Sequence, residues 1–161
     1  MLTNQVSIYL GMQKTLLGTP KWLPGNRPDQ HSLKWPIQCA GIGEGPKIEV
    51  DYSASAPMLL YSISLNIPPP IMRLDIGEEL QHVVKAGKMT RPKIVHGHHF
   101  HPWSRNSPSR GIDSLPRELK YCEPYGGPTD FKEAFVWFCA TAGIDVNPSE
   151  IPTLPTRSTL L

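Results

Sequence analysis

Four histidines fall within six consecutive residues near the middle of the chain, in the segment His96-Gly97-His98-His99-Phe100-His101. The residues before them are apolar and Pro102 follows, which predicts a strand over 93–101. Because side chains alternate across a strand, His99 and His101 would share one face, with the other two histidines opposite. Two imidazoles so placed can bind one metal ion, and this pair is the feature with the clearest chemistry.

A metal ion held by His99 and His101 would need at least one more ligand. Asp75 and Glu123 are the acidic candidates, and Asp75 lies on the polar face of a predicted neighbouring strand. A divalent metal bound by His99, His101 and Asp75, with one position open, could activate water for hydrolysis. The alternative hypothesis is therefore a metal-dependent phosphoesterase or nuclease. No H-E-x-x-H motif accompanies the pair, so a purely structural role for the histidines also stays open.

Positive charge is concentrated around the same histidines. The chain has 16 basic and 14 acidic residues, a net charge of +2, but the segment 85–120 has eight basic and two acidic residues, a net charge of +6. The remainder of the chain therefore has a net charge of −4. Such a concentration is typical of proteins with an anionic partner, although a solvated basic loop has the same pattern.

The leading hypothesis is a binding protein, and not an enzyme, that holds a nucleotide, a nucleic acid or an acidic protein surface. Gly97 would allow close approach of a ligand, and Trp103 could stack on a base or pack in the core. No cofactor is expected under this hypothesis. The predicted binding residues are Lys88, Arg91, Lys93, His96, His98, His99, His101, Trp103 and Arg105.

The three cysteines, Cys39, Cys122 and Cys139, are odd in number and form no C-x-x-C pair. This pattern argues against a disulfide scaffold and favours the cytoplasm. Cys139 falls on an apolar helical stripe and is expected to be inert, whereas Cys122 lies near histidines and remains a possible nucleophile. No apolar stretch is long enough to span a bilayer, so no membrane partner is expected. The oligomeric state is left open.

Alternating apolar and polar residues predict four strands, over 33–40, 46–52, 58–67 and 71–76. Pro36 should make the first of them an edge strand or a broken one. The polar segment 77–92 is predicted to be a loop. Short connections favour antiparallel pairing.

The clearest helix follows Thr129, which is predicted to be its N-cap. Its apolar stripe is formed by Phe131, Ala134, Phe135, Phe138, Cys139 and Ala142, and Gly143 is placed to end it. A second helix is predicted within 1–17. The predicted fold is α+β, an antiparallel sheet of four to six strands packed by the C-terminal and N-terminal helices. It forms one domain over 1–146, and a mobile tail rich in Pro, Thr and Ser follows over 147–161.

Three segments together resemble a group of small phage and prophage proteins. They are Arg73-Leu74-Asp75-Ile76-Gly77, the run from Gly97 to Trp103, and the helix that ends near Gly143. The resemblance covers residues 71–145, with His99 and His101 as the motif histidines, and the chain departs from the pattern between Trp103 and Pro128. It implies an α+β fold and a mobile-element origin. Such accessory proteins often act in the host cytoplasm as inhibitors, in host takeover or counter-defence.

Overall fold

The structure is a computed structural model that describes residues 3–43, 45–54, 60–84, 93–108 and 115–156. Its architecture is α+β, as predicted. The helices are α1 (Thr3–Gly11), α2 (Trp103–Asn106) and α3 (Phe131–Thr141), with a 3₁₀ turn at Pro148–Glu150. Within these ranges, no helix is long and apolar enough to cross a membrane.

The described residues contain eleven strands, more than the four to six predicted. They are β1 (Lys14–Leu16), β2 (Trp22–Pro24), β3 (Gln30–Gln38), β4 (Lys47–Ser53), β5 (Tyr61–Asn66), β6 (Pro70–Ile76), β7 (Gln81–Val84), β8 (Lys93–His96), β9 (His99–His101), β10 (Glu123–Pro124) and β11 (Ile144–Asp145). Nine form one sheet in the order β10-β9-β6-β5-β4-β3-β1-β11, and β2 also pairs with β3. The pairs within this sheet are antiparallel except β1–β11.

Helix α3 covers one face of this sheet. Its aromatic side chains contact β3, β5 and β9 through the pairs Phe135–Trp35, Phe131–Tyr61 and Trp137–Phe100, whose ring centroids are 5.9, 5.2 and 5.1 Å apart. The predicted stripe is confirmed, because its six side chains are all buried. The predicted N-cap was wrong by one residue. Asp130 caps the helix, and its Oδ1 accepts from the backbone N–H groups of Lys132 and Glu133.

Strand β3 runs unbroken through Pro36, contrary to the prediction. It pairs with β4 on one side and with β2 and β1 on the other. The backbone N–H of Ile37 points towards β4 and donates to Pro46 O, so the ring nitrogen of Pro36 points away from β4. On the other side of β3, the carbonyl of Pro36 accepts from the backbone N–H of Leu17, one residue beyond β1. The missing N–H of Pro36 faces Leu17, one residue beyond β1, so no hydrogen bond of the β3–β4 pairing is lost and proline is tolerated.

The N-terminal helix is shorter than predicted, because the chain leaves it at Gly11 and forms β1. Lys14, which is only 1% exposed, turns back to the helix end. Its Nζ donates to the carbonyl oxygens of Tyr9, Met12 and Leu10 at 2.7, 2.6 and 3.2 Å. The helix ends here, so its last carbonyls lack helical donors. Tyr9 O also accepts from Met12 N at 3.2 Å, and the Lys14 ammonium group bonds all three carbonyls and fixes the boundary.

Strands β7 and β8 form a separate two-stranded ribbon where a loop had been predicted over 77–92. Residues 85–92 of that prediction lie outside the described ranges. The single strand predicted over 93–101 is divided into β8 and β9, which belong to different sheets. Gly97 makes this break possible, because its φ of +74° is accessible to glycine at little cost.

The core extends beyond the predicted domain boundary at residue 146. Ile151 is 3% exposed within the main hydrophobic cluster. The indole Nε1 of Trp22 donates to Thr153 O at 2.9 Å. The part of the predicted tail around these residues therefore packs against the sheet, whereas 157–161 lie outside the described ranges.

Candidate metal centre

One strand pair, β6–β9, brings four polar side chains together on one face of the main sheet. In the antiparallel register of β6 and β9, Asp75 lies opposite His99 and Arg73 lies opposite His101. Between them Leu74 pairs with Phe100, which faces α3. Because side chains alternate, the four polar residues lie on the face away from α3. The prediction that His99 and His101 share a face is confirmed.

The carboxylate of Asp75 lies at the middle of this group. Its Oδ2 is 3.2 Å from His99 Nε2 and 3.3 Å from His101 Nε2, and it accepts from Arg73 Nε at 2.8 Å. His101 Nε2 also lies 3.2 Å from Arg73 Nη2. The residues predicted as metal ligands, His99, His101 and Asp75, are thus in mutual contact, and all three are less than 10% exposed.

Two further donors come from elements that cover this face. His82, on the ribbon strand β7, has its ring centroid 4.8 Å from that of His101 and 5.5 Å from that of His99. Cys122 lies one residue before β10, and the β10–β9 register continued by one residue places it beside His101. One possible ligand atom from each of His82, His99, His101 and Cys122 lies within 4.8 Å of the other three.

The hydrogen bonds of the imidazoles leave one nitrogen of His82 and one of His101 for this cluster, whereas both nitrogens of His99 are engaged, Nδ1 by Gly97 O and Nε2 by Asp75. His82 Nε2 lies 3.2 Å from Lys120 O, and His99 Nδ1 lies 2.8 Å from Gly97 O. A carbonyl oxygen only accepts, so these nitrogens carry the proton. His101 contacts Asp75 through Nε2, and its buried Nδ1 has no hydrogen-bond partner among the described residues.

Burial and charge shift the pKa values of these groups in different directions. Burial raises the pKa of Asp75, but hydrogen bonds from His101 and His99 and the charge of Arg73 outweigh it, so the carboxyl pKa lies well below its usual range. Burial lowers the pKa of both histidines. For His99 the hydrogen bonds to Asp75 and Gly97 prevail and the pKa is raised, whereas for His101 burial prevails and the pKa is lowered.

The thiol of Cys122 is a poor nucleophile in the metal-free protein. Its side chain is buried, and burial raises the pKa to about 11, with a further contribution from the charge of Asp75. Cys139, on the buried face of α3, has its pKa raised to about 12 by burial, consistent with the predicted inert role. A thiol with such a pKa is almost wholly protonated at neutral pH.

The structure separates the other two histidines of the sequence motif from the cluster. His96 is exposed on β8, and His98 lies in the turn, where its Nδ1 accepts from Gly77 N at 2.9 Å. Glu123, the other acidic candidate, pairs with Phe100 and is exposed. It therefore does not lie on the side of the sheet that carries Asp75.

The residues predicted to bind an anion do not form one surface. Trp103 is 5% exposed and its Nε1 lies 3.4 Å from Ser7 Oγ, so its ring packs in the core and offers no face to a base. Lys93 is exposed on the ribbon, and Arg105 is exposed at the end of α2. The remaining two, Lys88 and Arg91, lie outside the described ranges.

Sequence reasoning missed two members of the cluster. His82 fell in a segment predicted to be a loop, although His82 and Val84 alternate with Gln81 and Val83 as in a short strand. Cys122 was noted for its closeness to histidines, but only as a nucleophile. The missing information is the pairing of β7 with β8 and of β10 with β9, which no local pattern encodes.

A basic groove lies beside the cluster. It has a volume of ≈ 450 Å³ and is lined by Arg105, Asn106, Pro116, Arg117, Glu118, Lys120 and Tyr121. The groove adjoins the histidine cluster. Lys120, which lines the groove, has its carbonyl oxygen 3.2 Å from His82 Nε2, and Cys122 follows two residues later. Arg105 is the one predicted binding residue that lines it.

No protein-family model matches the chain, and no curated protein or solved structure is similar to it. The resemblance to phage and prophage proteins, and the cytoplasmic location, therefore remain predictions.

Proposed function

We propose that the protein binds a divalent transition-metal ion through His82, His99, His101 and Cys122. The observation that carries the proposal is the convergence of four such donors within 4.8 Å, three of them buried. Four side chains of the residue types that bind zinc rarely converge in a protein interior without a ligand, because each carries a polar group that burial penalises.

The hydrogen bonds around the imidazoles support this proposal. In metal sites a ligating histidine usually donates its second ring N–H to a carbonyl or carboxylate, which fixes the ring and its tautomer. Lys120 O and Gly97 O would serve His82 and His99 in this way, and Asp75 would serve His101. His99 would bind the ion through Nε2, in exchange for its 3.2 Å contact with Asp75 Oδ2. The buried Nδ1 of His101, which has no partner in the described part of the chain, would then gain the metal ion as its partner.

Zinc fits this donor set best. Imidazole nitrogens suit zinc, copper, iron and nickel, whereas a thiolate favours zinc and copper(I), so zinc is the divalent ion common to both. Three nitrogens and one sulfur complete a tetrahedron, the usual geometry of structural zinc. The ion would tie together the ribbon, the main sheet and the segment before β10. The ribbon and that segment otherwise meet in a small apolar cluster of Val84, Val95, Cys122 and Tyr121.

The four donors favour a structural ion over the metal-dependent hydrolase predicted as an alternative. Hydrolysis needs an open coordination position for water, and Cys122 would occupy it. In this proposal Asp75 orients His101 and is not itself a ligand. Turnover of phosphodiester substrates by the zinc-loaded protein, lost in His99→Gln, would instead support the hydrolase.

The first experiment is metal analysis of protein purified without a nickel column and without chelator. Native mass spectrometry and inductively coupled plasma mass spectrometry should find one zinc per chain. Cobalt substitution should give tetrahedral d–d absorption and a sulfur-to-cobalt charge-transfer band, and Cys122→Ser should remove the latter. The exposed His96 provides a matched control, since His96→Gln should keep full stoichiometry.

Three results would overturn the proposal. The first is wild-type protein that neither contains zinc nor binds added zinc, copper, nickel or cobalt. The second is an equal loss of metal in His96→Gln and His101→Gln. The third is a cobalt spectrum unchanged in Cys122→Ser. Circular dichroism of each variant separates loss of the ligand from loss of the fold.

A further inference from the structure

The basic groove beside the metal centre has the features of a binding site in its own right. Three cations line it, Arg105, Arg117 and Lys120, and all three are exposed. Within the described ranges, none of the three takes part in an ion pair. Glu118 is the one acid in the lining, so the groove has a local surplus of positive charge with no internal partner.

The groove is held in shape by the side chain of Asn106. Its Nδ2 donates to Tyr121 O and to Pro102 O, both at 2.9 Å, and its Oδ1 accepts from Tyr121 N at 2.8 Å. These bonds fix the backbone of Tyr121 against α2. A preformed groove loses less conformational entropy on binding than a mobile loop would.

An aromatic ring and a guanidinium group lie together in this groove. The guanidinium carbon of Arg105 lies over the Tyr121 ring, 5.7 Å from its centroid. Tyr121 is partly exposed and also packs against the apolar cluster of Val84, Val95 and Cys122. Aromatic rings bind nucleobases by stacking, and arginine binds phosphate oxygens through paired N–H groups. A purely acidic peptide would use the cations but would gain little from Tyr121.

We propose that this groove binds single-stranded nucleic acid. Arg117 and Lys120 contact the phosphates, and a base stacks on Tyr121 when the Arg105 guanidinium leaves the ring to pair with a phosphate. The anionic partner predicted from the charge distribution would thus bind in this groove and would be a nucleic acid. The proposal does not rest on the metal centre, because the residues that bind are distinct from the four metal ligands.

The test is fluorescence anisotropy with end-labelled homopolymeric RNA and DNA oligonucleotides, on full-length protein at low and moderate salt. Arg105→Ala with Arg117→Ala should weaken binding at least about tenfold. The same double variant should reduce the slope of log K against log salt by about 0.7 for each phosphate that is no longer neutralised. Tyr121→Leu should weaken binding by about 5-fold or more, with little change of the salt slope.

The matched control is Lys21→Ala with Arg27→Ala, which removes two exposed cations far along the chain from the groove. It should leave the affinity within about twofold of the wild type. Equal weakening in both double variants would overturn the proposal, since only net charge would then matter.

Two further results would overturn it. One is wild-type protein that binds neither RNA nor DNA at low salt, and the other is poly-glutamate binding as tightly as the oligonucleotides, which would favour an acidic protein partner. A preference for RNA over DNA, or the reverse, identifies which kind of nucleic acid the groove binds. Metal content is measured on the same samples, so that a loss of nucleic-acid binding can be distinguished from a loss of the metal ion.

Discussion

Asp75 Oδ2 lies 3.3 Å from Nε2 of His101, a histidine with no exposed surface, on the strand next to its own. The same oxygen accepts from Arg73 Nε at 2.8 Å. The carboxylate therefore balances the arginine charge and fixes the side of the imidazole that faces it. The opposite nitrogen, Nδ1, has no partner among the residues that the structure describes and is the atom that the proposed metal ion would bind.

Asp75→Asn should lower zinc affinity by about 10- to 100-fold while one zinc per chain still binds at saturation, because a positioning carboxylate is removed and the ligands stay. Competition with a fluorescent zinc chelator measures this change. Asp51→Asn, on β4, is the control and should have no effect on affinity. Loss of stoichiometric binding in Asp75→Asn would instead make Asp75 a ligand, as the sequence had predicted.

His82→Gln tests the ligand that sequence reasoning missed. Because His82 is the one donor supplied by the ribbon, its loss should lower zinc affinity by about 100-fold or more, a larger effect than that of a positioning residue. The main sheet does not depend on it, so the thermal transition of the metal-free variant should match that of the metal-free wild type. A variant with unchanged zinc affinity would exclude His82 from the site.

Removal of the metal should destabilise the ribbon more than the main sheet. With free zinc at about 100 times Kd, binding contributes about 2.7 kcal/mol, so chelation should lower Tm by roughly 5–10 °C. Hydrogen exchange should increase in β7 and β8, whereas β4 and β5 should keep their protection. Uniform loss of protection across both sheets would contradict this prediction.

Metal binding should also strengthen nucleic-acid binding, because the groove and the metal centre share Lys120 and the residues that follow it. The segment 120–122 would be fixed at both ends by zinc, through Cys122 directly and through the His82 ring that contacts Lys120 O. Chelation should therefore weaken oligonucleotide binding by about 5-fold or more, a coupling of typical size. Reciprocal measurement of zinc affinity with and without oligonucleotide checks it. Equal oligonucleotide affinity in both states would show that the two sites are independent.

Lys14→Met should destabilise the fold by about 2–4 kcal/mol, because it removes the donor that satisfies the carbonyls at the end of α1. Urea denaturation followed by circular dichroism measures the free energy of unfolding. Lys21→Met replaces an exposed lysine in the following loop and should change the free energy of unfolding by less than about 0.5 kcal/mol. A similar small change in Lys14→Met would mean that water can replace the ammonium group.

Local patterns in the sequence were sufficient for the elements whose structure depends on their own residues. The alternation around Ile48 and Ile63 identified two central strands, and the apolar stripe from Phe131 identified α3. Period-two geometry placed His99 and His101 on one face. Each of these features follows from backbone periodicity and apolar burial, which act over a few residues.

Tertiary structure decided which of these residues meet. The β6–β9 register places Asp75 beside His99, and the ribbon adds His82 to the cluster. The chain before β10 supplies Cys122 at a separation of more than twenty residues from His101. Pairings between distant segments depend on the whole sheet, because each strand gains its hydrogen bonds and buried surface only from its neighbours. The sequence by itself therefore determined the residue types available for a metal site, and only the fold determined the set of ligands.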